Sequence, residues 1–195
     1  MTQPGKHETN TSALCRESLA SDPDGWMTIQ FLEHGKGELW AQREIAVYIA
    51  AEFQWKLLSG PTSSNDPIDP IDTNSSDPLL AECEMEMTLT KRLAKRAEGW
   101  SLNEAYLKDE AFRPKIYKVR LERGKWPVSR GPRGSINAIT ALFGFRIVFD
   151  QSPFPPLEEW KKKHLAESKK FWRFNDFYGR RLSESQKNAF IATVA

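Results

Sequence analysis

Lys115-Ile116-Tyr117-Lys118-Val119-Arg120-Leu121-Glu122-Arg123 is the stretch on which the reading of this chain turns. Tyr117, Val119 and Leu121 fall to one side and Lys118, Arg120 and Glu122 to the other, the period-two alternation of a strand that buries one face. The other face is basic. Over residues 113–135 eight cations stand against the single acid Glu122, with Lys125, Trp126, Arg130 and Arg133 extending the run. Gly124-Lys125 is placed to turn the chain. Trp126-Pro127-Val128 then suits a short edge strand, because Pro127 has no N–H to donate to a central ladder.

Two more strands are expected on the same ground. Residues 26–32 set Met27, Ile29 and Phe31 against Thr28 and Gln30, and residues 143–149 set Phe143, Phe145, Ile147 and Phe149 against Gly144, Arg146 and Val148. Elsewhere the spacing predicts helices. Leu39, Ile45, Ile49, Phe53 and Leu57 suit one amphipathic helix over residues 38–58, although 45–48 also suits a strand. Residues 79–97 are acidic early, at Glu82, Glu84 and Glu86, and basic late, at Lys91, Arg92, Lys95 and Arg96, the order that a helix dipole favours. Ser101 with Glu104, and Ser183 with Gln186, have the spacing of capping boxes that open further helices. Residues 136–142 follow Ser135 as an N-cap, and residues 157–174 form a lysine-rich amphipathic segment. The expected fold is α+β: a small mixed sheet of strands near 26–32, 115–123 and 143–149, packed against several amphipathic helices.

Seven Trp and eleven Phe among 195 residues supply the bulky rings of a real core. Residues 1–24, polar and without apolar period, are expected to form a disordered tail. Residues 25–195 are expected to form a single domain interrupted at 59–78, where Pro61, Pro67, Pro70 and Pro78 among Ser, Asn and Asp mark a flexible loop. The longest unbroken apolar run, residues 45–51, is far short of a bilayer span, so no membrane partner is expected. The polar start lacks the apolar core of a secretion signal, and an intracellular location, cytoplasmic or nuclear, is expected.

Charge divides the chain. Residues 1–90 carry 15 carboxylates against 5 cations, whereas residues 91–195 carry 23 cations against 11 carboxylates. Such asymmetry points to an anionic partner for the basic half, nucleic acid or another polyanion. The expected contacts are Lys118, Arg120, Arg123, Lys125, Arg130 and Arg133, with Trp126 available for stacking. Gly131-Pro132-Arg133-Gly134-Ser135 would add main-chain N–H groups at a helix start, Ser135 among them, facing a phosphate. Two other classes stay open: an assembly protein, homo- or hetero-oligomeric, whose acidic and basic halves pair, and a small enzyme with a carboxylate-lined pocket near Glu44.

Motifs for other chemistry are absent from the sequence. His7, His34 and His164 have no ligand partner three or four residues away, and Cys15 and Cys83 read as free thiols, so no metal is expected. Neither a nucleotide P-loop nor a dinucleotide glycine motif occurs, and no cofactor is expected. The helices expected over 79–97 and 101–111, joined by Glu98-Gly99-Trp100 and followed by a basic extended segment, resemble a helix-turn-helix with a wing. Their Glu104, Asp109 and Glu110, however, suit a DNA groove poorly. Phe143-Gly144-Phe145 resembles the aromatic strand of RNA-recognition domains without its preceding basic residue.

Overall fold

The alternation that marks residues 115–123 runs through most of the chain. In the computed structural model, which describes residues 14–15, 18–59, 79–97, 100, 102–129 and 139–194, eight antiparallel strands pair in sequence order and close into a barrel. They are β1 (Ser18–Ala20), β2 (Met27–Leu32), β3 (Lys36–Arg43), β4 (Ala46–Leu57), β5 (Leu79–Leu93), β6 (Lys115–Ser129), β7 (Ile139–Phe149) and β8 (Asp176–Arg181). Ala20 on β1 pairs with Tyr178 on β8 and completes the ring. Closure leaves no free sheet edge between first and last strand.

The α+β expectation is thereby overturned. The segment expected as one helix over 38–58 is the β3–β4 hairpin, and the segment expected as a helix over 79–97 is mostly β5. Ile49, Phe53 and Leu57 are four residues apart, a step that equals two strand repeats as well as about one helical turn. Ala51 and Trp55, on the same inward face, fill the intervening positions. In β5 the inward residues are Ala81, Cys83, Met85, Met87 and Leu89, alternating with Glu82, Glu84 and Glu86. Strand burial of that face outweighed the helix propensity of Glu, Met, Leu and Ala.

Other boundaries move in the same direction. β6 does not turn at Gly124-Lys125 but continues through a bulge between Arg123 and Trp126. β7 begins at Ile139, inside the segment expected as a short helix. The single helix expected over 157–174 is three short pieces: 3-10 turns at Leu157–Glu159 and Phe171–Arg173, and between them α2 (Lys163–Lys169). Earlier, α1 (Asn103–Tyr106) is followed by a 3-10 turn at Asp109–Phe112. The final helix forms as expected: α3 (Glu184–Val194) begins beside Ser183, whose N–H donates to Gln186 Oε1 at 3.0 Å while its Oγ accepts from Gln186 N at 3.3 Å. Ser18–Ala20, in the segment expected as a tail, is β1. Of the flexible loop expected at 59–78, residues 60–78 lie outside the described residues.

Inside the barrel, Phe31 meets Phe53 and Trp55 edge-on at 5.5 and 5.3 Å, and Phe149 meets Tyr117 and Phe177 at 5.7 and 5.9 Å. One end is closed by a cap built from the β5–β6 and β7–β8 connections. Its Phe154, Trp160 and Phe171 are fully buried, and Trp160 stacks on Phe171 with centroids 5.9 Å apart. Each such ring removed from water contributes about 1.5–3 kcal/mol. The two connections are joined by a β-bridge between Leu107 and Trp160, flanked by Lys108 N→Glu159 O at 2.9 Å and Lys161 N→Tyr106 O at 2.8 Å.

The outer wall is polar. Glu52, Gln54 and Lys56 on β4 and Glu82, Glu84 and Glu86 on β5 face out while the interior is apolar, the reverse of a lipid-facing barrel. Among the described residues no helix is long and apolar enough to cross a membrane.

Candidate anion-binding face and adjoining cleft

β6 sorts the expected contact residues by parity. Lys118 and Arg120 are exposed on the outer wall, and the antiparallel register sets Glu84 directly opposite Lys118 and Glu82 directly opposite Arg120. Cross-strand neighbours of opposite sign attract at this spacing, so the acidic face of β5 offsets this part of the basic face. Glu122 is the next outward residue and is only 7% exposed. Arg146, opposite it on β7, donates to Glu122 Oε2 from Nε at 2.9 Å and also from Nη2. Arg120 reaches the other Glu122 oxygen at 3.8 Å, and the Arg146 guanidinium lies 3.7 Å from the Trp126 ring centroid. Glu122 is thus the hub of a packed charge network, and Trp126 is covered by Arg146.

Arg123 follows Tyr117, Val119 and Leu121 in parity and is half-buried, with its Nε enclosed and without a hydrogen-bond partner among the described residues. It does not share the face of Lys118 and Arg120. Lys125 is exposed within the bulge. Arg130, Arg133 and Ser135, with the glycines expected to turn between them, lie outside the described residues. Glu44 sits in the exposed β3–β4 turn at φ 52°.

A second cationic group comes together on the cap. The Leu107–Trp160 bridge aligns the segment of Lys108 with that of Lys161 and Lys162, more than fifty residues away in sequence. Lys108 Nζ donates to the main-chain oxygen of Glu158 at 2.8 Å, Lys161 Nζ donates to the main-chain oxygen of Glu104, and Lys162 Nζ stands 5.4 Å from the centroid of the Tyr106 ring. Lys163 is exposed at the start of α2. The nearby carboxylates of Glu104 and Asp109 are instead engaged by Lys91, at 3.1 and 3.0 Å. That hydrogen bond first, and the charges of Lys91, Lys161 and Arg113 after it, hold the Asp109 carboxyl below its ordinary range. An ammonium has three donors, so one spent on a carbonyl leaves full charge and two donors free.

On the other side of the 157–159 turn lies a cleft of about 450 Å³. Lys115, Tyr117, Gln151, Glu159 and Trp172 line it, over Phe154. The Lys115 ammonium and the Glu159 carboxylate pair across it and are both largely buried. Ser152 fixes the wall: its Oγ donates to Phe174 O at 2.7 Å and accepts from Phe154 N at 3.2 Å. Burial, helped by Glu159 and Asp150, pushes the Tyr117 phenol well above its ordinary pKa, so it stays protonated.

No family model, curated protein or solved structure matches this chain. Among the described residues no three His, Cys, Asp or Glu gather as a metal set. The cap lysines were visible in sequence as a basic run. Their meeting with Lys108 was not, because it depends on a bridge between distant loops.

Proposed function

We propose that this protein binds a polyanion, nucleic acid foremost, through the cationic face of its cap. The observation that carries this reading is the contact pattern of Lys108, Lys161 and Lys162, whose ammonium groups rest on main-chain oxygens and an aromatic face rather than on carboxylates. Fixed positive charges of this kind attract phosphates and displace their counterions, which makes binding depend steeply on salt. The outer wall of β6 contributes less in this reading, because Glu82 and Glu84 stand opposite its cations.

The test is fluorescence anisotropy with a labelled oligothymidylate at increasing sodium chloride. With the three phosphate contacts of Lys108, Lys161 and Lys162 the logarithm of affinity falls by about 2 per decade of salt. Binding that is absent at low salt, or that does not respond to salt, overturns the reading.

A further inference from the structure

The cap face and the cleft share one short segment. Glu159 gives its main-chain oxygen to Lys108 N on the cationic side and its carboxylate to Lys115 in the cleft. A polymer whose phosphates lie on Lys108, Lys161 and Lys162 therefore passes close to an open cleft lined by an aromatic ring and hydrogen-bonding groups. We infer that the cleft receives an unstacked base of a single-stranded nucleic acid, with Trp172 as its stacking surface and Tyr117 and Gln151 at its polar edge. This deepens the polyanion reading and rests on it.

The lining supports this occupant on three counts. A volume of about 450 Å³ is in the range of small-molecule clefts. Trp172, half-buried over Phe154, supplies aromatic surface, the usual seat for a splayed base. The polar groups match a base edge. The Tyr117 hydroxyl is a donor, and the Gln151 amide, tied through Nε2 to Ile116 O at 3.2 Å, leaves its oxygen as an acceptor. Glu159 is the one carboxylate in the lining, and Lys115 takes up its charge, so it does not repel an approaching phosphate.

A duplex cannot use such a site without surrendering a base pair. An abasic strand keeps the phosphates and loses the base. The experiment therefore compares an oligothymidylate of about 12 nucleotides with an abasic strand of equal phosphate count, against the wild-type chain, Trp172→Leu and Tyr117→Phe. Wild type should prefer the base-bearing strand about tenfold, the worth of one stacked base. Trp172→Leu should abolish that preference, and Tyr117→Phe, which keeps the ring packing against Phe149, should reduce it. Equal affinity for the two strands, each with a steep salt response, overturns the cleft assignment and leaves the polyanion reading standing. Salt-independent or absent binding of both strands overturns the polyanion reading and the base site with it. A preference that survives in both variants places the base elsewhere and overturns the cleft assignment.

Discussion

Lys108 donates its ammonium to the main-chain oxygen of Glu158 at 2.8 Å, across the bridge that joins the two cap connections. The contact fixes the position of a charge without neutralising it. Lys118 and Arg120 are placed differently, with Glu84 and Glu82 as their direct cross-strand neighbours. The paired substitution Lys118→Gln with Arg120→Gln is therefore expected to weaken oligothymidylate binding less than Lys161→Gln with Lys162→Gln. Anisotropy titrations at one fixed salt concentration compare the two, and the reverse order would place the binding face on the barrel wall.

Asn103 is 1% exposed and joins the cap to the barrel. Its Oδ1 accepts from Ala50 N at 3.1 Å, and its Nδ2 donates to Ala50 O at 3.0 Å and Arg92 O at 3.3 Å. Asn103→Ala strands the buried Ala50 N–H, while the Ala50 carbonyl keeps only its bond from Ala94 N. A loss of about 2–3 kcal/mol is expected from urea denaturation. A change within about 0.5 kcal/mol, the size of an ordinary surface substitution, would show that water restores those bonds.

Much of the barrel was legible in the residues themselves. β2, the first part of β6 and β7 follow a strict alternation, and β5 does so as well through Cys83, Met85, Met87 and Leu89. What misled there was the charge order, acidic then basic, which satisfies a helix dipole but serves here to set Glu82 and Glu84 against Arg120 and Lys118. β4 was ambiguous for a different reason, since a four-residue apolar step belongs to both periods. Closure could not be read at all. It rests on β1, three residues long and joined to β8 at Ala20 and Tyr178. The cleft was equally hidden, because its Lys115 opens β6 while its Glu159 comes from the β7–β8 connection.

Tyr117 ties stability to alkaline pH. Its folded-state pKa is raised above the ordinary 10.0, by burial first and by Glu159 and Asp150 after it. For a raised pKa the contribution is complete below the unfolded value and is lost as pH rises through the folded one. Melting temperature is thus expected to fall above pH about 10, and to fall less steeply in Tyr117→Phe. Parallel curves for the two proteins would remove Tyr117 as the cause.

Cys83 is 6% exposed, inside the barrel, and burial pushes its thiol upward, with Glu82 adding to the effect. A thiol held protonated and enclosed does not react. In a Cys15→Ser background, an aromatic disulfide reagent is expected to find no thiol in the native protein and to react with Cys83 only on denaturation. Rapid native reaction would mean that β5 opens readily.

The most direct measurement of the central proposal is the salt slope of oligothymidylate binding for the wild-type chain and for a Lys108→Gln, Lys161→Gln, Lys162→Gln variant of matched melting temperature. Each phosphate contact to a single strand contributes about 0.7 to the slope, so removing three should make it shallower by about 2. Equal slopes in the two proteins would contradict the assignment of the polyanion face to the cap.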